Sequence, residues 1–336
     1  MITPTLWCSD EDRDLLQEVL QEVTKNPYED YDAFRASIAE VIDSGALPVQ
    51  FVHAMETIRS ERAHSKGYAH LLRNCPIDAH VPVFDQNDPV QDKYRKKMTY
   101  VGEGVLEVLA QMTATPLLAY ATRNNGDFFH DVYADNRYSG TQTQKTDWEL
   151  FWHNDRTAHK VRADYLALLG MRCPKTDLVY TGYVDGRELL QNISDKSQAV
   201  LRESAFITPF DEYSRDSNSQ QVISERHGVL ENAHSFRYYD TRTRPEDPTS
   251  ARHWKALMDL RDAMAKARGQ SHRIEDGDLL VIANQDSLHC RRMVEVNDPE
   301  STRLRWLLKT YAFRDEVAAD RHSDAWLDNV RGRVLD

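Results

Sequence analysis

The octapeptide Trp148-Glu149-Leu150-Phe151-Trp152-His153-Asn154-Asp155 carries an imidazole and a carboxylate two positions apart. In an extended strand alternate side chains share a face, so Phe151, His153 and Asp155 would point the same way and two of them could reach one metal ion. Two ligands do not make a catalytic centre. A third stands in Ile274-Glu275-Asp276-Gly277-Asp278-Leu279-Leu280-Val281-Ile282-Ala283-Asn284-Gln285-Asp286-Ser287-Leu288-His289-Cys290-Arg291. There an acidic-glycine turn feeds an apolar strand, a short polar turn follows, and His289 opens the next strand. His153, Asp155 and His289 would form a facial set of two histidines and one carboxylate, leaving three positions of an octahedral Fe(II) open. A lone H-x-D is a weak signal; joined to a Gly-Asp-aliphatic run ending in histidine it is considerably stronger. His159 is expected to be structural, because the chain should have left the strand face by then.

These residues need a scaffold. The N-terminal part reads as helices. Ser9 with Asp12 resembles a capping box, followed by Leu15, Leu16, Val19, Leu20 and Val23 on one face. Phe34, Ile38, Val41 and Ile42 continue the period, Gly45 and Pro48 stop it, and a third helix is expected over about 50–65. A strand near 68–73 and a helix over Tyr100–Met112 come next. Beyond about 115 short strand candidates recur near 117–122, 127–133, 149–155, 164–172, 178–184, 205–209, 220–225, 235–241, 278–284, 289–295 and 304–313, with a helix at about 250–267. The fold class expected is mainly β with helices (α+β), a sandwich or jelly roll wrapped by helices. No linker divides the chain, which reads as one catalytic domain over 1–336: a helical layer 1–66, a β core 67–315 and a tail 316–336. The polar stretches 211–219 and 241–251 are long enough to be lids.

The segments Trp152-His153-Asn154-Asp155, Asp164-Tyr165-Leu166-Ala167-Leu168-Leu169 and Gly277–Arg291 resemble the Fe(II)/2-oxoglutarate-dependent dioxygenases, with the closest look to the clavaminate synthase-like branch, which includes hydroxylases of free arginine and lysine. The resemblance runs from about Gly67 to Phe313. It implies a double-stranded β-helix, Fe(II), 2-oxoglutarate and O2. The distal carboxylate of 2-oxoglutarate needs a cation, for which a guanidinium is suited. The family places that arginine on the strand after the distal histidine, where Arg303 and Arg305 stand, and Arg305, directly before Trp306, matches better. Thr181 falls where the family puts a hydroxyl on the same carboxylate. For substrate, the family position is Phe236-Arg237-Tyr238-Tyr239-Asp240-Thr241, and His130 and Asp131 also fall where relatives contact substrate. Alternation puts Tyr239 and Thr241 on one face and Asp240 on the other, so the acid pair that meets a guanidinium in the arginine hydroxylases is missing. Lysine, or an uncharged polar side chain of similar length, is expected ahead of arginine. Relatives usually carry glutamate where this chain has Asp155, and His-Gly-Arg is His289-Cys290-Arg291 here. Related halogenases replace the acidic ligand by a small residue, so Asp155 argues for hydroxylation, with desaturation or ring closure open to the same residues.

Composition agrees with a soluble enzyme on a small molecule. Apolar residues make up 40% of the 336, enough for a core. Forty-two Lys+Arg against 54 Asp+Glu give a net charge of −12, which would repel nucleic acid and anionic lipid. The basic run Lys93, Arg95, Lys96, Lys97 is expected to be solvated. No apolar run approaches the ~20 residues that span a bilayer, and the start lacks a secretory signal pattern. Cys8, Cys75, Cys173 and Cys290 are scattered, which fits four thiols in a cytoplasmic protein. The partners expected are an amino-acid-like small molecule, no nucleic acid and no membrane. Two competing classes are a non-catalytic jelly-roll ligand-binding module and a zinc hydrolase on the same ligands, the latter lacking a paired general base.

Overall fold

The computed structural model describes residues 3–64, 66–218 and 222–335. An eight-stranded sheet runs in the order Leu6–Trp7, Ala69–Arg73, Leu279–Ala283, Tyr165–Arg172, Trp306–Ala312, Leu117–Tyr120, Arg333–Val334, with His130–Val132 also paired to Trp306–Ala312. A four-stranded sheet runs Gln270–His272, Leu178–Asp185, Ser287–Glu295, Leu150–His153. Among the described residues there are eleven α-helices, so the fold is a mixed α/β one in which helices carry more of the chain than strands.

The three N-terminal helices form where the apolar spacing places them, at Asp10–Gln21, Tyr31–Asp43 and Val49–Ala63. The Asp12 amide donates to Ser9 Oγ at 3.0 Å, satisfying one otherwise orphaned donor of the first turn. Their buried faces (Leu16 and Leu20, Phe34 and Ile38, Phe51 and Ile58) share one apolar cluster with Leu169, Val281 and Leu308 of the large sheet. The helical layer therefore has no core apart from the sheet it covers. Ser9→Ala is expected to cost about 1 kcal/mol, seen as a lower denaturation midpoint; an unchanged midpoint would show the cap to be idle.

The acidic turn before Leu279 is built as its sequence suggests. Gly277 has φ +78°, and a Cβ there would lie 2.6 Å from the Cys75 carbonyl oxygen, so a side chain is excluded twice over. That turn pins Leu279–Ala283 between Ala69–Arg73 and Tyr165–Arg172. Several strand expectations shorten. The stretch 235–241 makes only isolated bridges, Leu230 with Phe236 and His153 with Tyr239. The strand expected at 220–225 includes residues outside the described ones, and its remainder makes one bridge, Ile223 to Pro209. Helices Gly186–Gln191 and Asp195–Leu201 occupy a stretch for which no element was expected. They close an apolar cluster with the long helix Ala251–Lys266 through Leu189, Leu201, Leu257 and Leu260.

The basic run departs from its expectation. Arg95 and Lys96 are solvated, but Lys93 and Lys97 are buried. Lys93 Nζ lies 3.2 Å from Asp127 Oδ2 and 3.0 Å from Asp131 Oδ2, over the Tyr28 ring at 3.8 Å. Lys97 Nζ meets Asp78 at 2.6 Å and Glu103 at 3.2 Å. The helix Pro89–Lys96 turns one basic face inward, onto acids that are distant in sequence.

Candidate metal centre and adjoining cavities

His153 ends the strand Leu150–His153, and His289 lies opposite it in register on Ser287–Glu295. The ligand atoms of His153, Asp155 and His289 all lie within 4.8 Å of one another. Asp155 Oδ1 is 3.5 Å from His153 Nε2 and 3.9 Å from His289 Nε2, so three donors converge on one point. His153 Nδ1 sits 2.6 Å from the Phe151 carbonyl, which requires the proton on Nδ1 and leaves Nε2 free for a metal.

The strand stops before Asp155, so alternation alone does not aim that carboxylate. The neighbouring amide Asn154 does the bracing. Its Nδ2 donates to the Asn284 carbonyl at 2.5 Å and the Ser287 carbonyl at 2.7 Å, and its Oδ1 accepts from the Tyr238 amide at 3.0 Å. The Asp155 amide in turn donates to Asn284 Oδ1 at 2.8 Å. Two asparagines from separate segments thus hold the ligand loop against the polar turn that precedes His289. Asn284 was visible in the sequence only as part of that turn.

Lys309 completes the surroundings and was not foreseen. Its Nζ lies 3.0 Å from Asp155 Oδ2, 2.6 Å from Gln144 Oε1 and 2.7 Å from the Tyr311 hydroxyl. Burial alone would raise the Asp155 carboxyl, but Lys309 and the two histidines outweigh it and hold it well below the usual carboxylate range. Burial, and then the neighbouring His153, push His289 down to about 3. Neutral imidazole and ionised carboxylate are the forms that bind a divalent metal. The donor set and its protonation fit an Fe(II) ion.

Two cavities share Gln144, Leu150, His153 and Asp155 as walls, so the cluster stands at their junction. One, of about 470 Å³ including its open mouth, lies between the sheets and ends on Thr181, Arg291 and Arg305. Arg291 is tied down by donating to the carbonyls of Trp148 at 2.9 Å and Thr146 at 2.8 Å. The buried Arg305 side chain has no hydrogen bond or ion pair among the described residues, and burial lowers its pKa. Arg303 is elsewhere. It belongs to the short helix Pro299–Arg303, is bound to Asp147, Asn136 and Gln86, and does not line this cavity. Cys290 packs its thiol over Gly182, where a Cβ would come within 2.7 Å.

The other cavity, about 520 Å³ with its mouth, is lined by Arg123, Gln142, Asp211, Ser214, Tyr239 and Arg242, among others. Tyr239 stacks on His153 with ring centroids 4.8 Å apart and donates its hydroxyl to the Gln142 carbonyl at 2.7 Å. Asp240 faces away, bound to Arg261 Nε at 2.7 Å, and Thr241 is exposed at the tip of a turn. The chain reverses here because the Arg242 and Thr243 amides both donate to the Tyr239 carbonyl, so Arg242, not Thr241, comes in beside Tyr239. His130 and Asp131 line neither cavity. Asp131 accepts from Lys93, Asn124 and Trp306 beneath the site, and His130 packs edge-on against Tyr311. His159 is buried on the wall of this second cavity, its Nδ1 2.6 Å from the Val161 carbonyl.

A histidine–carboxylate–histidine cluster between two sheets thus opens onto two cavities, and the whole fold is similar to that of solved non-heme iron oxygenases. It superimposes on asparagine oxygenase, solved with Fe(II), 2S,3S-3-hydroxyasparagine and succinate, with a TM-score of 0.80, 18% identity, and coverage of 98% of this chain and 99% of that one. The non-heme iron oxygenase OrfP gives a TM-score of 0.79 at 17% identity in its complex with Fe, succinate and (3R,4R)-dihydroxy-L-Arg, covering 99% of this chain and 100% of that one. With Fe and alpha-ketoglutaric acid bound, OrfP gives 0.77 at 16% identity, covering 98% and 99%. The chain belongs to the taurine catabolism dioxygenase TauD, TfdA family, which matches residues 103–311. No curated protein sequence matches it. No helix among the described residues is long and apolar enough to cross a membrane.

Proposed function

We propose that this protein is an Fe(II)/2-oxoglutarate-dependent oxygenase that hydroxylates an unactivated C–H bond of a free amino acid or a close derivative. One observation carries the reading: the metal cluster stands where two cavities meet, and one of them ends on a buried, unpaired arginine. His153, Asp155 and His289 would hold the metal. Arg305 and Thr181 would receive the distal carboxylate of 2-oxoglutarate, with the α-keto acid end reaching toward the histidines. The second cavity would take the amino acid, with Tyr239 on the wall next to His153. When bound, the metal and co-substrate supply the oxidising power by activating O2 as 2-oxoglutarate is converted to succinate and CO2. The chain's own task is to aim one C–H bond, exclude bulk water and keep Asp155 ionised through Lys309. The two sheets that enclose the cavity are read as a double-stranded β-helix, and the shared apolar cluster supports a single catalytic domain. The ligands bound to the structural neighbours, free amino-acid products and succinate, support the substrate class.

The direct test supplies Fe(II) and 2-oxoglutarate without oxygen, then O2 and an amino-acid panel, with mass spectrometry for succinate and a product one oxygen heavier. Oxygen-independent hydrolysis, or no 2-oxoglutarate binding, would end the proposal. Arg305→Leu is expected to weaken 2-oxoglutarate binding by about 1.5–3 kcal/mol, the worth of hydrogen bonds to a charged group, with Arg303→Leu far less harmful. The reverse order, measured by calorimetry, would move the carboxylate site.

A further inference from the structure

We infer that the substrate cavity selects an amino acid with a negatively charged side chain, of the aspartate or glutamate class, and that Arg242 is the residue that reads that charge. The inference rests on the oxygenase reading and makes its substrate specific. It replaces the expectation of lysine.

The cavity wall holds three arginines, Arg123, Arg156 and Arg242, and two aspartates, Asp155 and Asp211. Neither aspartate is available to a cationic ligand. Asp155 meets Lys309 with one oxygen and the histidines with the other. Asp211 Oδ2 meets Arg123 Nη2 at 2.6 Å, and its Oδ1 accepts the Ser214 amide at 2.7 Å. Asp240, the remaining acid of the segment, is spent on Arg261. An ammonium or guanidinium side chain entering here would be desolvated beside arginines, and among the described residues both aspartates of the wall are already engaged.

The unsatisfied groups point the same way. Arg242 bonds Glu212 Oε2 at 2.6 Å through Nη2, and the Phe210 carbonyl at 3.3 Å through Nη1, yet its Nε is buried without an acceptor. Gln144 Nε2 is likewise buried without one, its Oε1 being fixed by Lys309. No unpaired buried acceptor occurs among the described side chains of the lining. A site whose orphans are donors is completed by a ligand that brings acceptors. An α-amino acid is a zwitterion, so its side chain decides its net charge; a second carboxylate brings further acceptors for the Arg242 Nε and Gln144 Nε2 donors.

Geometry places the reader near the chemistry. The Arg242 guanidinium carbon lies 5.3 Å over the Tyr239 ring, and that ring stacks on His153 at 4.8 Å. The guanidinium thus stands one ring beyond a metal ligand, on the wall of the same cavity.

The test titrates aspartate, glutamate, asparagine, glutamine, lysine and ornithine into the oxygen-free enzyme loaded with Fe(II) and 2-oxoglutarate, by calorimetry. The better acidic amino acid is expected to bind at least about tenfold tighter than either basic one, a margin of one decade in Kd. Arg242→Gln should narrow that margin and raise KM for the acidic substrate more than it lowers kcat, while Arg242→Lys restores part of it. Basic amino acids binding as well as acidic ones, or a margin indifferent to Arg242→Gln, would overturn the inference and leave the oxygenase reading standing. Failure of the enzyme to bind 2-oxoglutarate in the presence of Fe(II) would instead overturn the oxygenase reading itself.

Discussion

His153→Ala, Asp155→Ala and His289→Ala are each expected to reduce succinate formation to background while the protein stays folded. Each substitution removes one of three converging donors, and no other His, Cys, Asp or Glu group among the described residues gathers with them. The apolar clusters that hold the sheets lie elsewhere, so circular dichroism and the denaturation midpoint should change little. Asp155→Ala has an additional consequence, because it leaves the Lys309 ammonium buried without its carboxylate. That variant should be the least stable of the three. Near-wild-type turnover with iron retained in all three would remove the metal centre from consideration. Asp155→Gly vacates the carboxylate position altogether; loss of hydroxylation is expected, without a switch to chlorination.

Lys93→Met should cost about 3–5 kcal/mol, the range for breaking a buried ion pair from one side. Burial opposes the charge on Lys93, but Asp131 and Asp127 outweigh it and keep the ammonium protonated. Removing it strands two carboxylates, one of them also bonded to Trp306 at the start of the strand that carries Lys309. The measurement is chemical denaturation with and without the substitution. A change below about 1 kcal/mol, the scale of exposed pairs, would mean that the pair is as solvated as the sequence suggests.

The triad was legible in the sequence because its evidence is local. A histidine and an aspartate two apart at the end of a strand, and a histidine after a glycine turn and five apolar residues, are patterns that short-range geometry reads directly. The resemblance points to Arg305, which the structure buries at the end of a cavity; its neighbour Arg303 lies elsewhere because Pro299 begins a short helix just before the strand. Arg242 was missed for a similar reason. Alternation was carried through Tyr239-Asp240-Thr241, although the polar run ending at Pro245 signals a turn. The inward side chain then shifts from Thr241 to Arg242. Lys93, Lys309 and Asn154 lie beyond any local pattern, because their partners are tens to more than a hundred residues away. Charge patterning along one segment cannot tell a solvated lysine from one whose acids arrive from another strand.

The packing of Cys290 over Gly182 bears on how long such an enzyme would last. Enzymes that activate oxygen damage themselves when turnover goes astray, and a thiol next to a metal ligand is the first candidate for oxidation. Oxidation proceeds through the thiolate. Burial, the largest effect on it, pushes the Cys290 thiol up to about 12, which disfavours the reactive thiolate near neutral pH. Cys173 is likewise near 12 and Cys8 near 11, and burial holds Cys75 well above the ordinary thiol value. All four are buried. The sulfur closest in sequence to the oxidising centre is thus also kept inert by its surroundings. Loss of activity on storage with iron and oxygen should therefore follow loss of metal, reversible by adding Fe(II), before it follows loss of titratable thiols.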